Sequence, residues 1–89
     1  MVLLGKNEIE ILINKLEDFI SGKDRSLAIS GEIEVALDRL FPDDDEIQDL
    51  VTCFASYRPG GGEYLYDEKT MVKKSEYLLR LIKEKHKRL

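Results

Sequence analysis

The stretch Pro42–Tyr57, "PDDDEIQDLVTCFASY", carries the clearest helix-start signal in the chain, and its reading decides the fold. Pro42 fixes its own φ and biases Phe41 away from helical geometry, so a helix arriving from upstream stops near Leu40. Behind the proline, Asp43 is placed to cap a new helix and Glu46 follows three residues on. The carboxylates of Asp44 and Asp45 stand where the helix dipole is positive. Ile47, Leu50, Val51 and Phe54 then recur at three-and-four spacing, which lines one face of a helix over 44–57 with apolar side chains.

The same period extends outward in both directions. Upstream, "LAISGEIEVALDRLF" carries Ile29, Ile33, Leu37 and Leu40, with Val35 and Ala36 beside them. It predicts a helix over 27–40 that starts near Ser26, the alternative being a shorter helix capped by Ser30. In the longer helix Gly31 is interior, where glycine is about 1 kcal/mol worse than alanine, and close approach of another backbone is the expected reason for it. Further upstream, Ile9, Leu12, Ile13, Leu16 and Ile20 share a stripe over 8–21, with Asn7 and Glu10 as a capping box and Ser21 and Gly22 as its end. Downstream, Asp67 as cap, with Tyr66 and Met71 as a hydrophobic staple, opens a helix over 68–87. Its stripe is Met71, Val72, Leu78, Leu79 and Ile82, and its cationic end, "KEKHKRL", suits the negative pole of the dipole. No segment alternates as a strand does. The expected fold is all-α, an antiparallel four-helix bundle forming one domain over 1–89.

Between the third and fourth helices lies "YRPGGGEYLYDE", Tyr57–Glu68. A phosphate cradle would set its glycines between a strand and a helix and add a lysine at the helix start; this loop follows a helix and places Glu63 beside the glycines. A chain reversal is expected instead, with Pro59 as helix stop and Gly60–Gly62 free to take positive φ. Tyr57, Arg58, Tyr64 and Tyr66 gather around it. Tyrosine and arginine concentrate at interfaces, and tyrosines also lid bundle cores, so both a recognition surface and a core lid fit these residues.

The bulk composition narrows the function. At 89 residues, folding buries about 60 to 68% of the surface of the unfolded chain, enough for one core but not for a deep catalytic cleft. With 43% hydrophobic and 36% charged residues, the chain belongs with soluble globular domains. One cysteine, Cys53, excludes an internal disulfide, so a cytoplasmic location is expected. The N-terminus lacks the basic segment and long apolar run of a signal peptide and is expected to stay in the mature chain. Charged residues interrupt every apolar stretch, so no membrane partner is expected. Residues 1–49 hold five basic against thirteen acidic residues, a balance of −8; residues 50–89 hold nine against five, a balance of +4; together these give the net −4.

Catalytic and ligand chemistry finds little footing. His86, the single histidine, sits in a basic terminal turn with no nucleophile beside it, and Cys53, on the flank of an apolar stripe, reads as a buried structural thiol. Asp43, Asp44, Asp45 and Glu46 lack the alternation and mid-loop glycine of a calcium loop, and a di-iron bundle needs more than one histidine. No enzyme activity, metal or cofactor is expected. The strip Arg80, Lys83 and Lys87, with Lys73 and Lys74, reads as a solvated face rather than a nucleic-acid surface. A protein partner fits better, engaged through Asp43, Asp44, Asp45, Glu46 and Asp49 and through Tyr57, Arg58, Tyr64 and Tyr66. The alternative is a structural or regulatory subunit, with a homodimer hiding Val2, Leu3, Leu4 and Leu89.

The succession "LEDFISG", then "LDRLFPDDDEIQDLVTCFASY", then a Gly-rich turn, "EYLYDE" and a final amphipathic helix resembles the small four-helix bacterial immunity proteins of the colicin D immunity type. The likeness is one of layout over about two thirds of the chain, without a diagnostic residue set. It implies an inhibitor that blocks a basic nuclease toxin by presenting carboxylates where the toxin expects phosphates, with Glu32, Glu34 and Asp38 joining the acidic run. The Lys and Arg content of the last helix departs from a uniformly acidic inhibitor.

Overall fold

The computed structural model describes residues 4–62 and 65–87. Four helices follow one another: α1 (Leu4–Ser21), α2 (Leu27–Leu40), α3 (Asp45–Ala55) and α4 (Glu68–Lys87). Among the described residues no strand forms, and two isolated bridges, Tyr57 with Tyr66 and Gly62 with Leu65, are the β-type pairings. Each helix packs on the next in sequence, and α1 closes the ring against α4. The result is the antiparallel four-helix bundle expected, 43 × 27 × 18 Å in extent.

Helix boundaries follow from local hydrogen bonding. The Ser26 hydroxyl accepts from the Ile29 amide at 3.3 Å, so α2 takes the longer of its two expected forms. At α3 the cap is Asp44 rather than Asp43: the Asp44 amide donates to the Phe41 carbonyl at 3.3 Å, closing a turn whose central residues are Pro42 and Asp43. The helix therefore starts one residue later, with the Asp44 carboxylate accepting from the Ile47 amide at 3.0 Å. Asp67 caps α4 as expected, accepting from the Thr70 amide at 3.0 Å. Asn7 and Glu10 fall inside α1, which is already helical at Leu4, so the capping box expected there marks no helix start.

The C-terminal end of α1 is closed by an arginine that the sequence did not single out. Arg25 donates from Nε to the Phe19 carbonyl and from Nη2 to the Ile20 carbonyl, both at 2.7 Å, meeting orphan acceptors at the negative pole of the dipole. Gly22, at φ 90°, lets the chain turn off the helix there.

The core is built from one stripe per helix. α1 buries Ile9, Leu12, Leu16 and Phe19; α2 buries Ile29, Ile33 and Leu37; α3 buries Ile47, Leu50 and Phe54; α4 buries Met71, Leu78 and Ile82. Phe19, outside the expected stripe, takes the central place there while Ile20 is half-buried. Its ring meets Phe54 edge-on at 6.0 Å and Tyr57 edge-on at 5.1 Å, and aromatic packing of this kind draws the side chain inward. Val35, expected beside the α2 stripe, is 66% exposed. Gly31 has nothing within 4 Å of where a β-carbon would stand, so the close backbone approach expected of it does not occur.

Candidate functional site

The loop after α3 is a turn first. Gly60 and Gly61 adopt φ of 84° and 75°, a region that L side chains avoid, and the Gly61 amide donates to the Arg58 carbonyl at 2.8 Å. The Gly60 amide donates to the Glu68 carboxylate at 2.8 Å, so an internal anion already occupies the position that a bound phosphate would need. Its hydrogen bond to Gly60 holds the Glu68 carboxyl below the usual range.

The tyrosines around this loop divide. Tyr57 is 2% exposed, packs against Phe19 and donates its hydroxyl to the Arg25 carbonyl at 2.6 Å, which makes it a core lid rather than a contact surface. Burial raises its hydroxyl above the ordinary value. Tyr66 is half-buried against the core, with the Lys74 ammonium 5.4 Å from its ring centre. Arg58 is exposed, and its amide donates to the Tyr66 carbonyl. Tyr64 lies outside the described residues, as do Val2, Leu3, Leu89 and the side chains of Leu4, His86 and Lys87.

The acidic run divides as well, by position on the helix end. Asp44 turns inward, where the Lys85 ammonium meets it at 2.7 Å. That contact, followed by the Ile47 amide, holds its carboxyl below the usual range. The stabilisation is therefore present above the ordinary carboxylate range and lost as the pH falls through the lowered value. Glu46 accepts a hydrogen bond from the Tyr77 hydroxyl, which raises that phenol, and the Arg80 guanidinium lies 5.9 Å from the Tyr77 ring centre. Asp43, Asp45 and Asp49 are exposed, and among the described residues their side chains hold no hydrogen bond or ion pair. On α2, Glu34 is pushed above its ordinary value by partial burial and then by the Asp38 carboxylate one helical turn on.

The charge asymmetry of the sequence is partly cancelled in space. Lys85 reaches Asp44 and Lys83 approaches Glu17 at 3.8 Å, so the basic end of α4 lies over acids from the first half of the chain. Among the described residues Asp43, Asp45 and Asp49 stay without a paired cation, as do Glu10 and Glu76 elsewhere on the surface.

A second surface was not singled out from the sequence. Between α1 and α2 runs a groove of about 540 Å³ with an apolar floor, flanked by the exposed side chains of Ile11 and Val35. The signal for it was present: Ala28, Gly31 and Ala36 are small residues on one side of a helix whose stripe lies elsewhere.

Cys53 is half-buried against the core rather than fully buried. Among the described residues no three His, Cys, Asp or Glu side chains gather to hold a metal ion, and no helix is long and apolar enough to cross a membrane. No protein-family model, curated protein or solved structure matches this chain.

Proposed function

We propose that the protein is a cytoplasmic protein-binding module that offers the unpaired carboxylates at the start of α3 to a basic surface on another protein. Its sharpest form is an inhibitor of a basic nuclease toxin, in the manner of the colicin D immunity proteins that its layout resembles. On this proposal it is not an enzyme and needs no cofactor.

One observation carries it: at a single helix start, Asp44 and Glu46 are tied into the fold by Lys85 and Tyr77, while Asp43, Asp45 and Asp49 are exposed and unpaired. Carboxylates held on a fixed helix end form a preorganised acidic site and lose little freedom on meeting cations. A nuclease cleft is basic because it must bind phosphates, and fixed carboxylates offer it the same charge. The Glu34–Asp38 pair adds to the same balance, since a cationic partner would relieve its repulsion. The alternative, a small structural or regulatory subunit, is favoured by the apolar face of α1 and α2.

The test begins with the chain immobilised and exposed to lysate of its own host at low and at physiological salt. A basic protein retained near stoichiometry and released by salt is the expected result. With that partner in hand, the triple variant Asp43→Asn, Asp45→Asn, Asp49→Asn should associate about tenfold more slowly and with a shallower salt dependence, its helicity unchanged. Association as fast as wild type would sink the proposal.

A further inference from the structure

We infer that the groove between α1 and α2 is the interface through which two copies of this chain form a two-fold dimer. This stands apart from the acidic site at the start of α3 and does not depend on it.

Three observations lead there. The first is exposed apolar surface: Ile11 is 53% and Val35 66% exposed, side by side across the groove, and such side chains on a small domain gain by being covered. The second is the hollow itself. Gly31 lies inside a helix, where glycine is the poorer residue, and open space stands where its β-carbon would be. Nothing within the described chain fills that space, and with Ala28 and Ala36 it leaves a depression that a neighbour's side chains can enter.

The third observation selects a second copy as occupant. Two ion pairs rim the groove: Lys15 with Glu32 at 2.9 Å, and Arg39 with Glu8 at 3.4 Å. Along α1 the signs run from Glu8 to Lys15; on the antiparallel α2, Arg39 stands opposite Glu8 and Glu32 opposite Lys15. Two faces that meet are related by a two-fold axis lying in the plane between them. If that axis runs along the helices, Glu8 meets the other copy's Arg39, and Lys15 its Glu32. If it runs across them, Glu8 meets the other copy's Lys15, and Arg39 its Glu32. In both of these orientations every rim acid faces a base, and each internal pair becomes part of a four-charge cluster. An axis on the diagonal would set Glu8 against Glu32 or Lys15 against Arg39, so the rim selects the first two. The four rim charges sum to zero, so a strongly basic or acidic partner gains no electrostatic advantage at this face, whereas a second copy matches it charge for charge.

Size sets the strength. A helix of 14 residues is about 21 Å long, and two helices side by side make a face about 20 Å wide, on the order of 400 Å² per copy. Buried on both copies this is about 800 Å² in total, below the range of stable interfaces and within that of weak, transient ones, so the dimer should be weak, with dissociation on the order of 100 micromolar.

Sedimentation equilibrium of the full chain, from low micromolar to near-millimolar concentration, tests it. The mass should rise from one copy to two, and Val35→Glu should weaken association at least tenfold while leaving helicity and the melting temperature of the monomer, measured at low concentration, unchanged, since Val35 is mostly in solvent in the single copy. Ile11→Lys, placed on the other helix, provides an independent variant and should act in the same way. A chain that stays monomeric throughout would overturn the inference, whatever else the groove then proves to bind. So would a dimer that persists undiminished in both variants, because its interface would lie elsewhere.

Discussion

The two places where glycine stands out in this chain have opposite structural meanings. Gly60–Gly62 lie in a loop flanked by tyrosines, and there the fold accounts for the glycines: they take positive φ, the Gly60 amide binds Glu68, and Tyr57 closes the core. Gly31 is a lone glycine in the middle of a helix, and the fold gives it no neighbour. Conspicuous composition at the loop marks internal architecture, while the quieter position lies on the face the bundle leaves uncovered. A glycine's role is decided by whether its φ or its space is in demand, and only tertiary contacts distinguish the two.

The largest effect expected from testing this contrast is at Tyr57. Tyr57→Ala removes a fully buried ring from between Phe19 and the Arg25 turn, and should destabilise the protein by about 3–5 kcal/mol in urea unfolding. A domain this small has little more stability than that to lose. A loss below about 1 kcal/mol would mean that the loop end is not integral to the core, and the tyrosines would return to consideration as a contact surface.

Next in size is Gly61→Ala. At φ 75° an added β-carbon meets backbone strain of about 1–2 kcal/mol, and it would stand 3.1 Å from the Asp67 β-carbon. Asp67 caps α4, so the crowding acts on the residue that holds the helix start. A loss of about 2 kcal/mol or somewhat more is expected in the same unfolding assay. If the variant were as stable as wild type, the loop would have other conformations open to it, and the contrast with Gly31 would weaken.

Most of the fold was legible because it rests on periodicity. The stripes on all four helices, the stop at Pro42 and the cap at Asp67 needed only local rules. The errors came where a second segment decides. Asp43 lost the cap to Asp44 because a turn closing back on Phe41 used it as a central residue. Phe19 entered the core because Phe54 and Tyr57, far along the chain, offer it ring edges. Ser75 is fully buried in the stripe of α4 with no hydrogen-bond partner for its hydroxyl among the described residues, which a pattern of apolar residues passes over. The division of the acidic run was equally hidden, since it depends on Lys85 and Tyr77 arriving from the last helix. The groove was missed because expectation followed the buried stripes, whereas its lining is what those stripes exclude.

The smallest effect should have the opposite sign and is the most discriminating. Gly31 has helical neighbours on both sides and open space at its β-carbon position, so Gly31→Ala adds no clash and removes backbone freedom from the unfolded chain. At protein concentrations low enough to keep the chain monomeric, it should gain about 0.5–1 kcal/mol in stability. Measured instead at concentrations where copies associate, the methyl group intrudes into the hollow that the other copy is inferred to use, and part of the gain should disappear. Equal gains at both concentrations would leave Gly31 an unfilled position with no occupant. A loss at low concentration would show that the space is already in use within one chain. A gain that shrinks as concentration rises would tie the cost of this glycine to the contact it leaves room for.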